Sequence, residues 1–309
     1  MLSTRGRLAG FAGAALFLVS ACTGSAASPS APAAPSAAPS VGPSVAPSTA
    51  PSAPASAAPT YNVPAAITSA GKLVWCVDVS YPPEEFYAAD GSTAKGSDID
   101  IANEIGKRFG VSTTISNTGF DGIIPALLAK KCDLVISGMN DTPKRALQVD
   151  FVDYLKVGQG LLVPAGNPKG IHTLEDLSGK SVAVQLGTTN KDALDAANVK
   201  LKAAGKALIE IKTYQQDTDG FQQLALGRVD AYSGDSPVVA YYNSKPENAG
   251  KFEIGGNPID PAAIGIAVTK DNTALRDAVK AAIDAMYADG TMKAIVAKWG
   301  MTNAVVLLQ

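Results

Sequence analysis

Segments with the character of strands and helices alternate along residues 72–138 and again along residues 174–245, and this alternation limits the possible folds most strongly. In the first stretch, short apolar or β-branched runs predict the strands KLVWCVDV, VSTTIS and CDLVISG. Between them, amphipathic segments predict the helices SDIDIANEIGKRFG and FDGIIPALLAKK. A β-α-β-α-β order is typical of a parallel sheet with helices on both faces, so we predict an α/β protein.

Polar residues and glycine mark the predicted ends of these helices. We expect Asp98 or Asp100 to cap the first helix, because a short polar side chain satisfies the free amides at a helix start. Gly110 is expected to end that helix, and Asp121 to cap the second one.

The second stretch repeats the pattern with the strands SVAVQ, ALIEIKTY and VDAYSGD. Two such units in a chain of 309 residues predict two lobes with a cleft between them. Ligands of open parallel sheets bind beyond the carboxyl ends of the strands. The residues at those ends are Asp78, Ser137 with Gly138, residues 185–189, and Gly234 with Asp235.

The segment SGMNDTPKRALQVDF, residues 137–151, follows the third predicted strand and places many hydrogen-bond donors at one strand end. Residues 140–142 are suitable N-caps for a helix that starts near Pro143. A helix start carries partial positive charge and free amides, and Arg145 adds a planar set of donors that matches a carboxylate.

Across the predicted cleft, the second lobe offers the loop Gly187–Thr189 and one carboxylate, Asp235. An arginine near a helix start, with an aspartate opposite, matches the carboxylate and ammonium groups of an α-amino acid. The alternative is that these residues are helix caps and surface charges of an ordinary α/β protein. The pattern of residues leaves both interpretations open.

The first 22 residues have the pattern of an export signal. Arg5 and Arg7 precede an uncharged apolar run that is shorter than the roughly 20 residues of a membrane span. The run ends in VSAC, so we interpret Cys22 as a bacterial lipobox cysteine that is acylated and anchors the protein outside the cell membrane. The alternative is an ordinary secretory signal that happens to end near a cysteine.

Residues 23–60 consist almost entirely of Ala, Ser and Pro and contain nine of the 20 prolines. So little apolar side chain cannot offset the entropy lost on ordering a chain, so we predict a disordered tether. The lipid anchor and this tether would hold a folded domain close to the membrane surface.

Composition argues against several classes of function. Without residues 1–21, the chain has 24 basic and 28 acidic side chains and no basic stripe with aromatic residues, so nucleic acid is a poor candidate. The single histidine and the absence of paired Cys or His motifs give no support for a metal, a redox centre or another cofactor. Cys76 and Cys132 are predicted to lie about 13 Å apart along neighbouring strands and therefore to be free thiols.

From about Lys72 to Trp299 the chain resembles the polar amino-acid-binding proteins of ABC importers, the extracellular solute-binding proteins of family 3. The resemblance is carried by SYPPEEF, GSDIDIANEI, FDGIIPALLAKKCDLVISGMNDTPKRALQVDF, GKSVAVQLGTT, LALGRVDAYSGDSPVVAYY and GIAVTKDN...ADGTMKAIVAKWG. It implies the two-lobed type II periplasmic-binding-protein fold. It also implies a monomer without catalytic residues that captures an amino acid by cleft closure and delivers it to an importer's permease subunits.

The resemblance assigns roles within the site. Arg145 would hold the ligand carboxylate, helped by backbone amides near Asn140 and Thr189, and Asp235 would hold the ammonium group. Tyr81 and Phe120 are expected to form the cleft walls, although Phe120 has an alternative role as a hydrophobic staple and Tyr81 as a brace for a turn. The full predicted set is Asp78, Tyr81, Phe120, Ser137, Gly138, Asn140, Arg145, Gln185, Thr189 and Asp235.

The expected first lobe comprises residues 61–158 and 266–309, and the second lobe comprises residues 159–265. The chain would cross between them near Gly158–Gly160 and Ala263–Gly265. The sequence departs from the family pattern at Glu84, where relatives often have an apolar or aromatic residue.

Two other functions compete with transport. Some secreted dehydratases share this fold and use a carboxylic acid in the cleft, for which Glu84 or Asp78 would be a candidate. A domain that senses the same ligand for signalling is the second alternative. Both are less favoured, because the predicted cleft has no nucleophile–base pair and an acylated tether suits a capture protein.

The predicted ligand is a polar or basic amino acid. Asp78, together with Glu84, would face the ligand side chain, and the neutral Gln185 stands where a basic residue would favour an acidic ligand. Unpaired carboxylates in a closing cleft are costly to desolvate unless a donor or a cation meets them. In the alternative, backbone amides satisfy Asp78, Glu84 points to solvent, and the site suits a neutral ligand.

Overall fold

The computed structural model describes residues 60–308. The predicted export signal, the lipidation site at Cys22 and the predicted tether up to residue 59 lie outside this range. Within it, no helix combines the length and the apolar composition that crossing a membrane requires.

The strands of the described range are β1 Lys72–Val77, β2 Ser80–Tyr81, β3 Glu85–Tyr87, β4 Ala94–Lys95, β5 Ser112–Asn117, β6 Leu134–Val135, β7 Val149–Pro164, β8 Ser181–Gln185, β9 Glu210–Tyr214, β10 Ala231–Asp235, β11 Phe252–Ile254, β12 Ile259–Thr269 and β13 Val305–Leu307. The helices are α1 Ala65–Ala70, α2 Ser97–Phe109, α3 Ile123–Leu128, α4 Pro143–Ala146, α5 Thr189–Ala203, α6 Asp217–Ala225, α7 Ser236–Ser244, α8 Thr273–Ala288 and α9 Thr291–Lys298. Short 3₁₀ helices occur at Phe120–Gly122, Glu175–Leu177 and Pro246–Asn248.

One large sheet runs through the described range in the order β5-β1-β6-β12-β7-β10-β8-β9. The strands β5, β1 and β6 are parallel to one another, and so are β10, β8 and β9. Between these parallel sets lie the long antiparallel strands β7 and β12. The fold is therefore α/β and two-lobed, as the alternation in the sequence predicts, with β7 and β12 joining the lobes.

Each parallel set packs its apolar residues against helices of its own half. Buried residues of β1 and β6 form one core with α2, α8 and α9, in which Trp75, Ile101 and Ile105 are fully buried. Buried residues of β8 form another core with α5. The predicted crossings at Gly158–Gly160 and Ala263–Gly265 fall within β7 and β12, and the lobe boundaries remain a prediction.

The predicted N-caps of the first two helices were wrong, whereas Gly110 ends the first helix as predicted. Helix α2 has Gly96 as its N-cap, at φ 141°, and a Cβ there would lie 1.9 Å from the carbonyl oxygen of Glu84. Glycine alone fits this close approach, so Gly96 takes the N-cap position and the helix starts at Ser97. Asp98 is therefore not a cap but a buried residue in the first turn of the helix. Asp121 lies in a 3₁₀ turn, and Gly122 precedes α3.

The predicted start of the helix after β6 was correct. Thr142 caps α4, and its hydroxyl accepts a hydrogen bond from the amide of Arg145 at 3.3 Å. Pro143 occupies the first turn. The helix is a single turn, and the guanidinium of Arg145 donates back to the carbonyl of Asn140, which precedes it, at 2.9 Å.

The prediction that Cys76 and Cys132 are free thiols was wrong. They form a disulfide, with Cα atoms 5.6 Å apart. In the parallel register Cys76 lies beside Val135, whereas Cys132 precedes β6 and belongs to the turn that follows α3. The turn brings Cys132 back toward β1, so the separation estimated along extended strands does not apply.

We expect the variant with both Cys76→Ala and Cys132→Ala to unfold more easily, by about 2–4 kcal/mol, because the disulfide restricts the unfolded chain. The bond spans a sequence separation of 56 residues. Urea unfolding of the wild-type protein and the variant, each with and without reductant, measures the difference. Reductant should destabilise only the wild type, and alkylation of both cysteines in unreduced, unfolded wild type would contradict the bond.

Candidate ligand-binding cleft

Strand ends from both lobes meet around a small cavity. Its lining residues are Asp78, Tyr81, Glu85, Phe120, Ser137, Gly138, Asn140, Gln185, Thr188, Thr189, Asn190 and Asp235. All of the predicted site residues except Arg145 are in this set. The prediction of a cleft at the strand ends of two lobes therefore located the cavity, but it missed Glu85, Thr188 and Asn190.

Hydrogen bonds across the cleft hold the two lobes together. The side-chain amide of Gln185 donates to Asp78 Oδ2 at 2.7 Å, and the hydroxyl of Thr189 donates to Asn140 Oδ1 at 2.7 Å. The donors belong to the second lobe, where Gln185 ends β8 and Thr189 follows it. The acceptors belong to the first lobe, where Asp78 follows β1 and Asn140 follows β6. The cleft is closed in this structure.

Tyr81 and Ser80 add backbone contacts to this closed interface. The amide of Asp235 donates to the hydroxyl of Tyr81 at 3.0 Å, and the amide of Asp217 donates to the hydroxyl of Ser80 at 3.1 Å. Tyr81 is buried, and its ring lies against Gly138, where a Cβ would come within 3.1 Å of it. Tyr81 is thus both a wall of the cavity and a link between lobes.

Asp78 is a buried carboxylate with donors from both lobes. In addition to Gln185, the backbone amide of Phe120 donates to its Oδ2 at 2.9 Å. Burial raises its pKa, although hydrogen bonds from Ser80, Phe120 and Gln185 oppose this shift. Asp78 is partly satisfied within the protein, as the neutral-ligand alternative expects, but one of its donors belongs to the opposite lobe.

Asp235 is the acidic group of the second lobe that faces the cavity. Burial raises its pKa to about 6, against the effects of hydrogen bonds with Asn190 and Tyr81 and of the positive charge of Arg145. Its Oδ1 accepts a hydrogen bond from the side-chain amide of Asn190 at 2.8 Å. A cation placed beside Asp235 would favour its ionised form.

Arg145 lies at the mouth of the cavity and lines an adjoining outer pocket together with Phe120 and Thr189. Its guanidinium donates to the carbonyl oxygens of Asn140 at 2.9 Å and Gly187 at 3.1 Å, which belong to opposite lobes. The guanidinium carbon lies 5.2 Å from the centre of the Phe120 ring. An arginine has five N–H donors, so donors remain for a ligand carboxylate.

Ser137 and Gly138 line the cavity, but their polar groups are engaged inside the first lobe. The Ser137 hydroxyl donates to Glu85 Oε1 at 2.8 Å, and the amide of Gly138 donates to Asp98 Oδ2 at 2.8 Å. Direct ligand contacts from these two groups therefore require a change of partner. Neither carboxyl was among the predicted site residues, because Asp98 resembled a helix cap.

Glu84 is fully buried and does not line the cavity. Burial and the charges of Asp98 and Asp235 raise the pKa of its carboxyl group well above the usual value. It therefore neither faces the ligand side chain nor points to solvent, and both predicted positions were wrong.

The cleft shows no sign of a metal site. Residues 60–308 contain no group of three or more His, Cys, Asp or Glu side chains arranged to hold a metal ion. The polar groups of the cavity instead comprise carboxylates, amides and hydroxyls, with one guanidinium at its mouth. These groups suit a small ligand that carries both a carboxylate and a positive charge.

Residues 73–302 match the family of bacterial extracellular solute-binding proteins, family 3. The chain belongs to this family. Its fold and its closed cleft are those of a binding protein whose lobes enclose a solute. The resemblance seen in the sequence motifs is thereby confirmed at the level of the family.

Relatives of known function are amino-acid-binding proteins. The L-cystine-binding protein TcyJ of Escherichia coli K12 is 31% identical over 230 residues, covering 74% of this chain and 82% of the relative. The ABC transporter arginine-binding protein 1 of the same strain is 31% identical over 234 residues, with coverages of 75% and 92%. An ancestral arginine-binding protein bound to arginine is 39% identical with a TM-score of 0.68, covering 74% of this chain and 98% of that one. This family member is a binding protein rather than an enzyme.

Proposed function

We propose that this protein captures a polar or basic amino acid in the cleft between its lobes, outside the cytoplasm, and delivers it to an ABC importer. The observation that carries the proposal is the position of Asp235 in the cavity lining and of Arg145 in the adjoining outer pocket, close enough for each charge to affect the other's pKa. The family and the named ligands of its relatives support the same conclusion.

In this proposal Arg145 binds the α-carboxylate, and Asp235 binds the α-ammonium group. A charge-assisted pair of this kind also relieves the cost of burying each protein group alone. The guanidinium of Arg145 also donates to the carbonyl of Gly187. The ligand carboxylate would either replace this acceptor or bind to the remaining donors of the same guanidinium. Tyr81 and Phe120 flank the cavity and exclude water from these charges.

Closure couples binding to transport. The bonds from Gln185 to Asp78 and from Thr189 to Asn140 form only when the lobes meet, so the ligand and these contacts stabilise the same closed state. A permease that recognises both lobes in this arrangement would distinguish loaded from empty protein.

The charge of the cavity favours a cationic or hydrogen-bond-donating side chain. The carboxylates of Asp78 and Asp235 line it, whereas its lining includes no lysine or arginine. An additional carboxylate on the ligand would add unfavourable charge to a site that has already desolvated several acids. Arginine, lysine, ornithine, histidine and glutamine are therefore the expected ligands.

A dehydratase of the same fold would change its ligand, whereas a binding protein returns it intact. Mass spectrometry of a bound amino acid, released by unfolding after incubation, distinguishes them.

We predict that Arg145→Ala weakens binding of an amino acid by about 2–5 kcal/mol, or roughly 30-fold to several thousandfold, because a charge in the closed cleft loses its partner. Asp235→Ala should have an effect of similar size. Isothermal titration calorimetry measures both, and circular dichroism checks that the variants fold.

Lys144→Ala is the matched control, because Lys144 precedes Arg145 on the same short helix and its side chain is exposed. It should bind within about twofold of the wild type. Binding within threefold of wild type by Arg145→Ala or Asp235→Ala would rule out the carboxylate–ammonium clamp.

We further propose that the mature protein begins at an acylated Cys22 and is held at the membrane by this anchor and the tether that follows. The support is the sequence pattern around VSAC and the extracytoplasmic location of the family.

Cys22→Ala is therefore predicted to move the protein from the membrane fraction to the soluble fraction. Fractionation and immunoblotting of cells that produce each form measure this, and Ser20→Thr, next to the expected cleavage site, serves as a conservative control. Unchanged membrane partitioning of Cys22→Ala would remove the anchor from the proposal.

A further inference from the structure

Two carboxyl groups lie close together in the first lobe, those of Glu85, which lines the cavity, and Asp98, which does not. Glu85 begins β3 and Asp98 lies in the first turn of α2, and both are fully buried. No salt bridge among residues 60–308 involves either of them. Two buried negative charges without a cation would be very costly, so the pair needs another way to be stable.

Each carboxyl group has one oxygen with well-defined donors. Asp98 Oδ2 accepts hydrogen bonds from the amide of Gly138 at 2.8 Å and from the hydroxyl of Tyr154 at 2.7 Å. Glu85 Oε1 accepts from the hydroxyl of Ser137 at 2.8 Å, and that hydroxyl accepts from the amide of Asp78 at 3.0 Å.

The other oxygens, Asp98 Oδ1 and Glu85 Oε2, are buried and receive no donor from the rest of the described chain. The residues that donate to them, Ser137 and Gly138, are adjacent in the chain, so the two carboxyl groups lie close together. The interaction with the Glu85 side chain lowers the pKa of Asp98, against the effect of burial. Ionised carboxylates only accept hydrogen bonds, so one of the two groups must carry a proton.

We propose that Glu85 and Asp98 share one proton and, as a hydrogen-bonded acid–carboxylate pair, hold the loop Ser137–Asn140 in the shape that the ligand cleft requires. Glu85 carries the proton, because Asp98 already accepts an amide and a phenol hydroxyl that favour its ionised form. Burial raises the pKa of Asp98 to about 6 and that of Glu85 well above its usual value, in agreement with this assignment.

The surrounding charges favour the same protonation. Glu84 and Asp78 both raise the pKa of Glu85, and Tyr154, from β7, faces Asp98 as a neutral phenol. On the cleft side, Asp235 and Asp217 act on the neighbouring Glu84 in the same direction. All of these groups are acidic or neutral, so none offers a cation that would stabilise a second ionised carboxylate.

The pair acts on the ligand site through the loop. Gly138 is fixed by Asp98, Ser137 is fixed by Glu85, and Asn140 follows two residues later with its bond across the cleft to Thr189. Ser137 also orients the amide of Asp78. Glu85 and Asp98 are thus positioning residues for the lining of the first lobe, and they need not touch the ligand themselves.

Infrared difference spectroscopy tests the shared proton without any ligand. At pH 7, Glu85→Gln and Asp98→Asn should each remove one protonated carboxylic acid band: the first deletes the acid, and the second supplies an amide donor that lets Glu85 ionise. Glu247→Gln is the control, because Glu247 is exposed and lies outside this buried group of acids. A spectrum of Glu85→Gln without loss of a carboxylic acid band would overturn the proposal.

The pH dependence of stability supplies a second readout. A carboxyl group with a raised pKa holds its proton more tightly when folded, so the free energy of unfolding falls as the pH rises above the unfolded value near 4.5. Glu85→Gln keeps a donor at every pH, so its unfolding temperature should fall less than that of the wild type between pH 5 and pH 9. Equal pH dependence in both proteins would contradict a protonated Glu85.

The positioning role rests on the proposed function and is tested with L-arginine and L-glutamine as probes. Glu85→Met has a side chain of similar length without hydrogen bonds, so it should bind whichever probe the wild type binds at least tenfold more weakly than Glu85→Gln does. Equal affinities of the two variants would remove the positioning role. Wild type that binds neither probe, with the infrared result intact, would contradict the proposed ligand class and the positioning role while leaving the shared proton standing.

Discussion

The removal of Asp78 and Asp235 from water is the constraint on which the rest of the cleft depends. Both carboxyl groups are almost completely buried in the closed arrangement, although they lie on different lobes. A buried carboxylate requires donors, and here these come partly from the other lobe, as Gln185 donates to Asp78. Closure of the cleft therefore supplies the donors that the buried carboxylates need. A cationic group on the ligand would stabilise the same carboxylates and thus also favour the closed state.

This constraint also explains the architecture around the cavity. The antiparallel strands β7 and β12 join two parallel sets of strands, so that the strand ends with Asp78, Ser137, Gln185 and Asp235 all face one space. Deeper in the first lobe, Glu85 and Asp98 hold the loop after β6 through Ser137 and Gly138. The carboxyl groups that face the ligand and those that hold the loop of the first lobe thus lie next to one another and act through the same loop.

Much of this arrangement could be predicted from the sequence. Alternation of apolar and amphipathic segments located β1, β8 and β10 and therefore the strand ends at which Asp78, Gln185 and Asp235 lie. The predictions that were wrong concern residues whose positions depend on contacts between segments far apart in the sequence. The backbone of Glu84 forces glycine at position 96 and so shifts the start of α2, and a turn brings Cys132 to Cys76. Neither contact leaves a local signal, and the same is true of the bond between Ser137 and Glu85.

The central claim is that the cleft binds a free amino acid with a cationic or donating side chain. Calorimetric melting of the protein with each of the twenty amino acids and ornithine tests it most directly, because a ligand at a hundred times its dissociation constant adds about 2.7 kcal/mol to the free energy of unfolding. We predict the largest increase in melting temperature with arginine, lysine, ornithine, histidine or glutamine. No increase with any amino acid, or the largest increase with glutamate or aspartate, would contradict the account.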